Sequence, residues 1–147
     1  MLAIKWLSIT DRHMKMYLDR QFAPLGLKSS QHMYIIHIYR NPGITQDQLF
    51  SYFYLNPSNI ARSVTALERN GFLIRKSNPD DKRTSRIYLT KKGEEVYQPV
   101  LDILRQGEEQ AMAEFSPEQR EMFLDMLQKI GHRSVELCDY HTERIEE

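Results

Sequence analysis

The chain has 147 residues, of which 41% are hydrophobic and 27% are charged. This is the composition of one ordinary globular domain, and it excludes a disordered, collagen-like or disulfide-rich protein. The 20 basic and 20 acidic residues cancel, but residues 1–61 carry a net charge of +3, residues 62–92 of +6 and residues 93–147 of −9. Such a split presents a basic face to phosphate, although chance clustering on solvated helices gives the same pattern.

The remaining global features concern redox state and membranes. Cys138 is the single cysteine and cannot form an intrachain disulfide, which fits a reducing compartment. No segment has the length of a membrane span or the pattern of a signal peptide. We therefore expect a soluble, cytoplasmic protein.

The first predicted helix ends near Pro24 and Gly26 and carries an apolar stripe at helical spacing. The stripe consists of Ile4, Trp6, Leu7, Met14, Tyr17 and Leu18. A wide apolar stripe near a terminus is typical of a core or of a subunit interface rather than of a cofactor site.

A second helix is predicted from Ser29 or Ser30 to about Tyr39, where the Asn41-Pro42-Gly43 turn stops it. Its apolar residues, Ile35, Ile36, Ile38 and Tyr39, are explained by core packing.

A third, short helix is predicted to begin after Thr45, which forms a capping box with Gln48. Its closeness to the next helix predicts a helix-turn-helix. Thr45 and Gln46 lie at the helix N-terminus, where backbone amides bind phosphate. The simpler alternative is that they only cap the helix.

The fourth predicted helix spans residues 57–70. Asn56 is its N-cap, Pro57 its first residue and Gly71 its left-handed ending. The core face carries Ile60, Val64 and Leu67, and the opposite face carries Ser58, Asn59, Arg62, Ser63 and Arg69. Short polar groups and arginine suit base edges and phosphates in a major groove, although a plain solvated surface looks the same.

Two β-prone runs, residues 72–76 and 86–89, predict a hairpin with a charged tip at residues 77–85. Asp81 lies two residues before Arg83, close enough for its carboxylate to orient the guanidinium. A projected arginine is attracted into a DNA minor groove. The alternative is a solvated charged loop.

Beyond the hairpin, Thr90 is predicted to cap a helix in which Pro99 imposes a kink or a late restart. A last helix is predicted to start at Pro117, with Ser116 as its N-cap and Gln119 completing a capping box. We expect this helix to end near Asp139. The apolar residues of these two helices are Val96, Val100, Leu101, Ile103, Leu104, Met122, Phe123, Met126, Leu127 and Ile130.

The hairpin carries a family resemblance. Asp81-Lys82-Arg83, followed by Leu89-Thr90 and Gly93, resembles the wing signature of MarR-type regulators, D-x-R and then L-T-x-x-G, with matching spacing. The resemblance extends upstream through residues 43–49 and 56–71, and more loosely over the whole chain.

The resemblance implies a mainly α fold with a small β-hairpin wing. In this interpretation residues 1–28 and 91–147 are dimerisation helices forming a bundle, and residues 29–90 are a winged helix-turn-helix DNA-binding lobe, all within one compact domain. The expected function is that of a homodimeric, ligand-responsive repressor that binds an inverted repeat in double-stranded DNA. The alternative is a winged-helix protein-interaction module without specific DNA readout.

The predicted DNA-binding residues combine the helix face, the third-helix N-terminus and the wing, with Asp81 orienting the wing arginine. They are Thr45, Gln46, Pro57, Ser58, Asn59, Arg62, Ser63, Lys82, Arg83 and Arg86.

The resemblance also implies a small aromatic or lipophilic effector, bound between the lobe and the dimerisation helices. The residues available for such a cleft are Trp6, His13, Tyr17, His32, Tyr34 and Tyr39, although aromatics at helical spacing are more often ordinary core. His32 and His37, five residues apart, do not share a helix face as a zinc-binding pair would. No catalytic motif is present, so we predict no enzyme activity, no metal and no cofactor.

Overall fold

The computed structural model describes residues 2–138 as seven helices and one β-hairpin. In chain order these are α1 (Ala3–Phe22, followed by a 3-10 turn at Ala23–Leu25), α2 (His32–Arg40), α3 (Gln46–Phe53), α4 (Pro57–Arg69), β1 (Leu73–Ser77), β2 (Ser85–Leu89), α5 (Lys91–Glu95), α6 (Tyr97–Ala111) and α7 (Pro117–Leu137). Among these described helices, none combines the length and the apolar character that crossing a membrane requires. The prediction of a mainly α fold with a small hairpin is confirmed.

The start of α2 differs from the prediction. The helix begins at His32 rather than at Ser29 or Ser30, because the preceding residues are held in a turn. The Asp19 carboxylate accepts a hydrogen bond from the Ser29 N–H at 2.7 Å, and the Gln31 side chain accepts one from the Lys28 N–H at 3.0 Å. These contacts fix the loop against the end of α1.

Helices α3 and α4 begin as their N-capping residues predict, and α4 also ends as predicted. Thr45 and Gln48 form both bonds of a capping box, and Asn56 accepts from the Ser58 N–H with Pro57 as the first helical residue. At the end of α4 the Phe72 N–H donates to the Leu67 carbonyl at 2.9 Å, the Schellman bond. Helix α3 extends through Tyr52 to Phe53.

The hairpin is antiparallel, with Leu73 opposite Leu89 and Ser77 opposite Ser85. A bridge between Ile44 and Ile87 attaches β2 to the chain just before α3. The Ile87 N–H donates to the Ile44 carbonyl at 2.9 Å. The hairpin therefore joins the helix-turn-helix at both of its strands, since β1 follows directly from α4.

The core lies between α2, α3, α4 and the base of the hairpin. The predicted core face of α4 is buried, and it packs with side chains from each neighbouring element. The buried residues include Ile60, Val64, Leu67, Tyr34, Ile35, Ile38, Leu49, Phe72 and Ile87. Burial of so many large apolar side chains fixes the orientation of α4 within the lobe.

The segment after the hairpin packs against the end of α4. Thr90 caps α5 as predicted, and its hydroxyl also donates to the Gly71 carbonyl at 2.5 Å. The helix then breaks, and α6 restarts at Tyr97. This is the restart predicted from Pro99, which occupies the first turn of α6, where a backbone N–H has no partner within the helix.

The terminal helices leave many apolar side chains exposed. No residue of α7 is buried within this chain. Its exposed apolar residues are Met122, Phe123, Leu124, Met126, Leu127, Ile130 and Leu137, and those of α1 include Ile4, Trp6, Leu7 and Met16. A contiguous apolar face of this kind is typical of a protein interface. The predicted helix end near Asp139 lies outside the described residues.

Gly93 of α5 lies against the backbone of Phe72, the residue before β1, and this contact predicts how Gly93 responds to substitution. A methyl group at Gly93 would collide with the Phe72 carbonyl oxygen, whereas one at Gly71 would meet only the Lys92 side chain at 4.0 Å. We expect Gly93→Ala to lower the free energy of unfolding by about 3 kcal/mol or more, because backbone must move. Gly71→Ala is the matched comparison, and it should cost about 1–2 kcal/mol because Gly71 has a φ of +79°.

Chemical denaturation at one protein concentration measures both Gly→Ala variants. Equal losses of stability would contradict the close approach of Gly93 to the Phe72 carbonyl.

Candidate nucleic-acid interface

The outer face of α4 presents polar side chains that are already held by one another. Asn56 accepts hydrogen bonds from the Ser58 N–H at 2.9 Å and from the Ser58 hydroxyl at 2.7 Å. One turn later, the Arg62 guanidinium donates to the Asn59 side-chain oxygen. Ser58, Asn59 and Arg62 are exposed, as is Pro57. Their donors and acceptors are therefore accessible at the N-terminal half of the helix.

A shallow groove of about 270 Å³ continues along the same helix. It is lined by Ala61, Arg62, Thr65, Ala66 and Arg69. Small side chains flanked by two arginines give this face a smooth, basic surface. Sequence analysis identified Arg62 and Arg69 on this face but not the small residues between them.

The N-terminus of α3 lies close to the hairpin. The Thr45 hydroxyl accepts from the Gln48 N–H at 3.3 Å, as its capping role predicts. The Gln46 side-chain oxygen accepts from the Arg75 guanidinium of β1 at 3.5 Å. Thr45 and Gln46 are both half-buried, so they lie at the edge of the lobe rather than on a projecting surface.

At the tip of the hairpin the predicted contact between Asp81 and Arg83 is present. The Asp81 carboxylate accepts from Arg83 Nε at 3.1 Å, from Nη2 at 3.2 Å and from the Arg83 backbone N–H at 3.0 Å. These hydrogen bonds hold the pKa of Asp81 below its usual range. The Arg83 side chain nevertheless remains 90% exposed. The guanidinium is thus oriented without being covered.

A second network, which sequence analysis missed, frames the wing. Buried Asn78 donates to the Thr84 hydroxyl at 2.9 Å and accepts from the Asp80 N–H at 3.1 Å. Arg86 donates to Asn78 at 3.2 Å and to the Asp80 carboxylate at 2.6 Å. The Asn78-Pro79-Asp80 sequence is the local signal for such a turn. Arg86 is therefore engaged within the wing, whereas Lys82 is exposed.

The three α1 residues named for an effector cleft have separate surroundings. Trp6 is exposed, with the Lys5 ammonium 5.9 Å from its ring. His13 contacts the Ile9 carbonyl through Nδ1 at 2.9 Å on the helix surface. Tyr17 packs against Gly107 of α6, where an added methyl group would lie 3.0 Å from its ring. Only Tyr17 lies between helices.

The three α2 residues contact other rings. His32 stacks on Phe22, Tyr34 packs against Phe53, and Tyr39 stacks on Tyr97 at 3.7 Å between ring centroids. Burial lowers the pKa of His32 and raises that of Tyr34. In the described part of the chain, no two of the six aromatic candidates stack on each other.

His37 contacts different rings from those that His32 contacts. Its ring centroid is 4.6 Å from that of Tyr52 and 5.1 Å from that of Phe53. Burial, and then the charge of Arg40, lower the pKa of His37. Both histidines thus serve ring packing between α2 and its neighbours.

A helix-turn-helix whose second helix leads into a charged two-stranded wing defines the winged-helix class of DNA-binding proteins. In this chain α4 is the second helix of that motif, and the exposed Arg83 lies at the tip of the wing.

Comparison with known proteins places the chain within this class. The MarR family model matches residues 27–85. The HTH-type transcriptional regulator YybA of Bacillus subtilis is 32% identical over 113 residues, which span 75% of this chain and 73% of that protein. A crystal structure of MarR is 27% identical with a TM-score of 0.80, and 96% of each chain is covered.

A further similar structure is that of a MarR family transcriptional regulator from Listeria monocytogenes, solved in complex with a 26mer DNA. It has a TM-score of 0.84 at 23% identity, over 93% of this chain and 90% of that chain.

The protein belongs to the MarR family of DNA-binding winged-helix transcriptional regulators. The resemblance drawn from the wing signature is therefore confirmed. The prediction that the chain is not an enzyme agrees with this membership.

The buried hydroxyl of Tyr34 yields a prediction about stability. Its oxygen has no hydrogen-bond partner among the described residues, whereas the Tyr97 hydroxyl accepts from Arg40 at 3.2 Å. An unpartnered buried polar group costs about 1–3 kcal/mol, so we expect Tyr34→Phe to preserve or raise the free energy of unfolding. The control, Tyr97→Phe, should lower it by up to about 1 kcal/mol.

Denaturant titration of both Tyr→Phe variants makes the comparison. A clear loss of stability in Tyr34→Phe would show that its hydroxyl is hydrogen-bonded in solution, with Ser63, whose side chain acts to lower the pKa of Tyr34, as the candidate partner.

Proposed function

We propose that the protein is a homodimeric, sequence-specific transcriptional repressor that binds an inverted repeat. In each subunit α4 enters a major groove and Arg83 enters the adjacent minor groove. The observation that carries this proposal is the wing arginine, which is oriented by Asp81 yet 90% exposed. A narrow minor groove has an enhanced negative potential, so an exposed and oriented guanidinium is suited to it.

The charges of the lobe support the proposal. Residues 62–92 contain nine basic and three acidic residues. Each of the three acids is paired with an arginine: Glu68 with Arg75, Asp80 with Arg86 and Asp81 with Arg83. The local excess of positive charge therefore remains available to phosphates, and association with DNA should weaken as salt increases.

Direct readout is assigned to Ser58, Asn59 and Arg62, with Pro57 and Ser63 flanking them. Asparagine and arginine side chains read adenine and guanine edges in the major groove, and serine contacts either bases or phosphates. We assign Lys82, Thr45 and Gln46 to phosphate contacts. Arg86 has a supporting role in this proposal, because its guanidinium is bonded to Asp80 and Asn78.

The homodimer is supported by the exposed apolar faces of α1 and α7. In water such faces are unfavourable at roughly 25 cal/mol per Å² of apolar surface, and a second copy of the chain would cover both. A twofold axis then relates two α4 helices, which would read half-sites about one helical turn, roughly 10 base pairs, apart. A structurally similar regulator was solved in complex with DNA, which supports double-stranded DNA as the partner.

Response to a small aromatic or lipophilic effector is a further part of the proposal, and it rests on the family. A ligand that favoured a dimer with wrongly spaced α4 helices would release DNA by population shift. Of the six aromatic candidates, Tyr17 at the α1–α6 contact and Tyr39 at the α2–α6 contact lie where such a ligand would act.

The wing is tested by Arg83→Ala. We expect the dimer to stay intact and the affinity for operator DNA to fall about tenfold or more, equivalent to at least about 1.4 kcal/mol. Fluorescence anisotropy with the DNA upstream of the protein's own gene, against scrambled DNA at two salt concentrations, measures this loss.

Arg105→Ala is the control, because it removes an exposed arginine of α6 that also pairs with an aspartate, Asp102. Equal affinities of wild type and Arg83→Ala would remove the wing from the mechanism. A wild type that prefers neither DNA would favour the protein-interaction module instead.

The dimer interface is tested by Ile130→Glu on α7. Burying a glutamate from each subunit in an apolar interface costs several kcal/mol, so we expect a largely monomeric protein at micromolar concentration. Sedimentation velocity measures the change. Lys129→Ala is the neighbouring control, because its side chain pairs with Asp125 on the polar side of the helix. A dimeric Ile130→Glu would place the interface elsewhere.

A further inference from the structure

One ion pair of the lobe joins three elements at once. Arg75, near the middle of β1, donates from Nη2 to the Glu68 carboxylate of α4 at 2.5 Å and from Nε to the same oxygen at 3.0 Å. Its Nη1 donates to the side-chain oxygen of Gln46, the first residue of α3, at 3.5 Å. We call these three residues the Arg75 clamp. It connects both helices of the helix-turn-helix to the first strand of the wing.

Apolar burial does little to hold β1 in place. Leu73 is buried, but the other four residues of the strand are exposed. A two-stranded hairpin is marginally stable in isolation, so its orientation depends on what attaches it to the lobe. β2 is attached through Ile44 and Ile87. Within residues 2–138, the only side-chain hydrogen bonds that attach β1 to α3 or α4 are those of the Arg75 clamp.

The two side chains of the ion pair are suited to a positioning role. Arg75 and Glu68 are 31% and 36% exposed, so solvent screens them less than it screens the pairs on α6 and α7. Hydrogen bonds from Arg75 hold the pKa of Glu68 below its usual range, so the carboxylate is ionised at neutral pH. The guanidinium is planar and makes two contacts with one carboxylate, which restrains direction as well as distance.

We propose that Arg75 is a positioning residue, which through Glu68 and Gln46 fixes the wing relative to α4 so that helix and wing reach adjacent grooves together. This inference rests on the proposed DNA-binding function. The contacts that α4 and the wing make with one DNA molecule reinforce each other only when the distance between α4 and the wing matches the distance between the two grooves. Loss of the clamp should therefore reduce the affinity that Arg83 contributes.

The alternative role for Arg75 is a direct contact with phosphate. The Arg75 side chain is only 31% exposed and donates from both Nε and Nη2 to Glu68, whereas the Arg83 side chain is 90% exposed. Arg75 therefore presents much less of its guanidinium to a phosphate than Arg83 does. The two roles predict different results in a double-mutant cycle. If Arg75 contacts DNA directly, removing it lowers the affinity by the same factor whether or not Arg83 is present. If Arg75 positions the wing, its removal lowers the affinity mainly when Arg83 is present.

The experiment combines Arg75→Met with Arg83→Ala. Methionine keeps a long side chain but removes the charge. Lys76→Met is the matched control, because Lys76 is the next residue of the same strand and is exposed, with its ammonium 5.0 Å from the centre of the Tyr88 ring. We expect Arg83→Ala to reduce operator affinity about tenfold or more in the wild-type and Lys76→Met backgrounds. In the Arg75→Met background, Arg83→Ala should reduce operator affinity less than about threefold, because the wing is no longer held in place.

A charge-reversed pair provides a rescue. The double variant Glu68→Arg with Arg75→Glu should recover at least half of the logarithmic loss in affinity. Each single reversal should be worse than Arg75→Met, because it brings like charges together. If Arg83→Ala costs the same factor in the Arg75→Met background as in wild type, Arg75 does not position the wing and the proposal is overturned.

A measurement without DNA separates this inference from the proposed function. Hydrogen exchange of peptides covering residues 73–89 should be faster in Arg75→Met than in wild type, and peptides of α7 should be unchanged. Unchanged exchange in the hairpin overturns the clamp whether or not the protein binds DNA. If the wild-type protein does not prefer operator DNA, the proposed function is overturned. The Arg75 clamp is then tested by hydrogen exchange in the hairpin alone. If Arg75→Met does not fold, Glu68→Gln replaces it in both measurements, with the same outcomes.

Discussion

The lobe depends on the junction where α4 ends. Gly71 turns the chain in a left-handed conformation, and the Phe72 N–H closes the helix on the Leu67 carbonyl. The Thr90 hydroxyl then donates to the Gly71 carbonyl and accepts from the Gly93 N–H. Because Gly93 has no side chain, the backbone of α5 can approach the Phe72 carbonyl just before β1. The end of α4, the start of the wing and the start of α5, which leads to α6 and α7, are thus held by one set of hydrogen bonds.

Electrostatics divides the arginines of the lobe into two kinds. Arg75 and Arg86 lie half-buried against carboxylates of their own lobe. Arg83 is bonded to Asp81 as well, but its guanidinium projects into solvent. Glu68 and Asp80 thus offset the charge of the two arginines that are bonded within the lobe, Arg75 and Arg86. A chain with no net charge can in this way keep a basic surface, because the field near a phosphate depends on the nearest groups more than on the total.

The helical arms impose a different constraint. Within one chain the lobe is well packed, whereas α7 buries none of its residues. Tyr17 and Gly107 join α1 to α6, and the stacked rings of Tyr39 and Tyr97 join the lobe to α6. In the proposed dimer these two contacts would transmit any change in the packing of the arms to the spacing of the α4 helices. The coupling would run through rings and close backbone contact, which change in discrete steps.

Sequence alone determined the features that depend on residues within about four positions. The N-caps Thr45, Asn56 and Ser116, the ending at Gly71 and the contact between Asp81 and Arg83 are local, so periodicity and capping rules predicted them. The tertiary structure decided whatever depends on distant partners, because spacing along a chain carries no information about which elements meet. It placed the start of α2 at His32, through hydrogen bonds that include one from Asp19. It joined Arg75 to Glu68 across the turn, and it gave each aromatic candidate a separate partner. The helices, wing and family were thus predictable from sequence, whereas the frame that holds the wing was not.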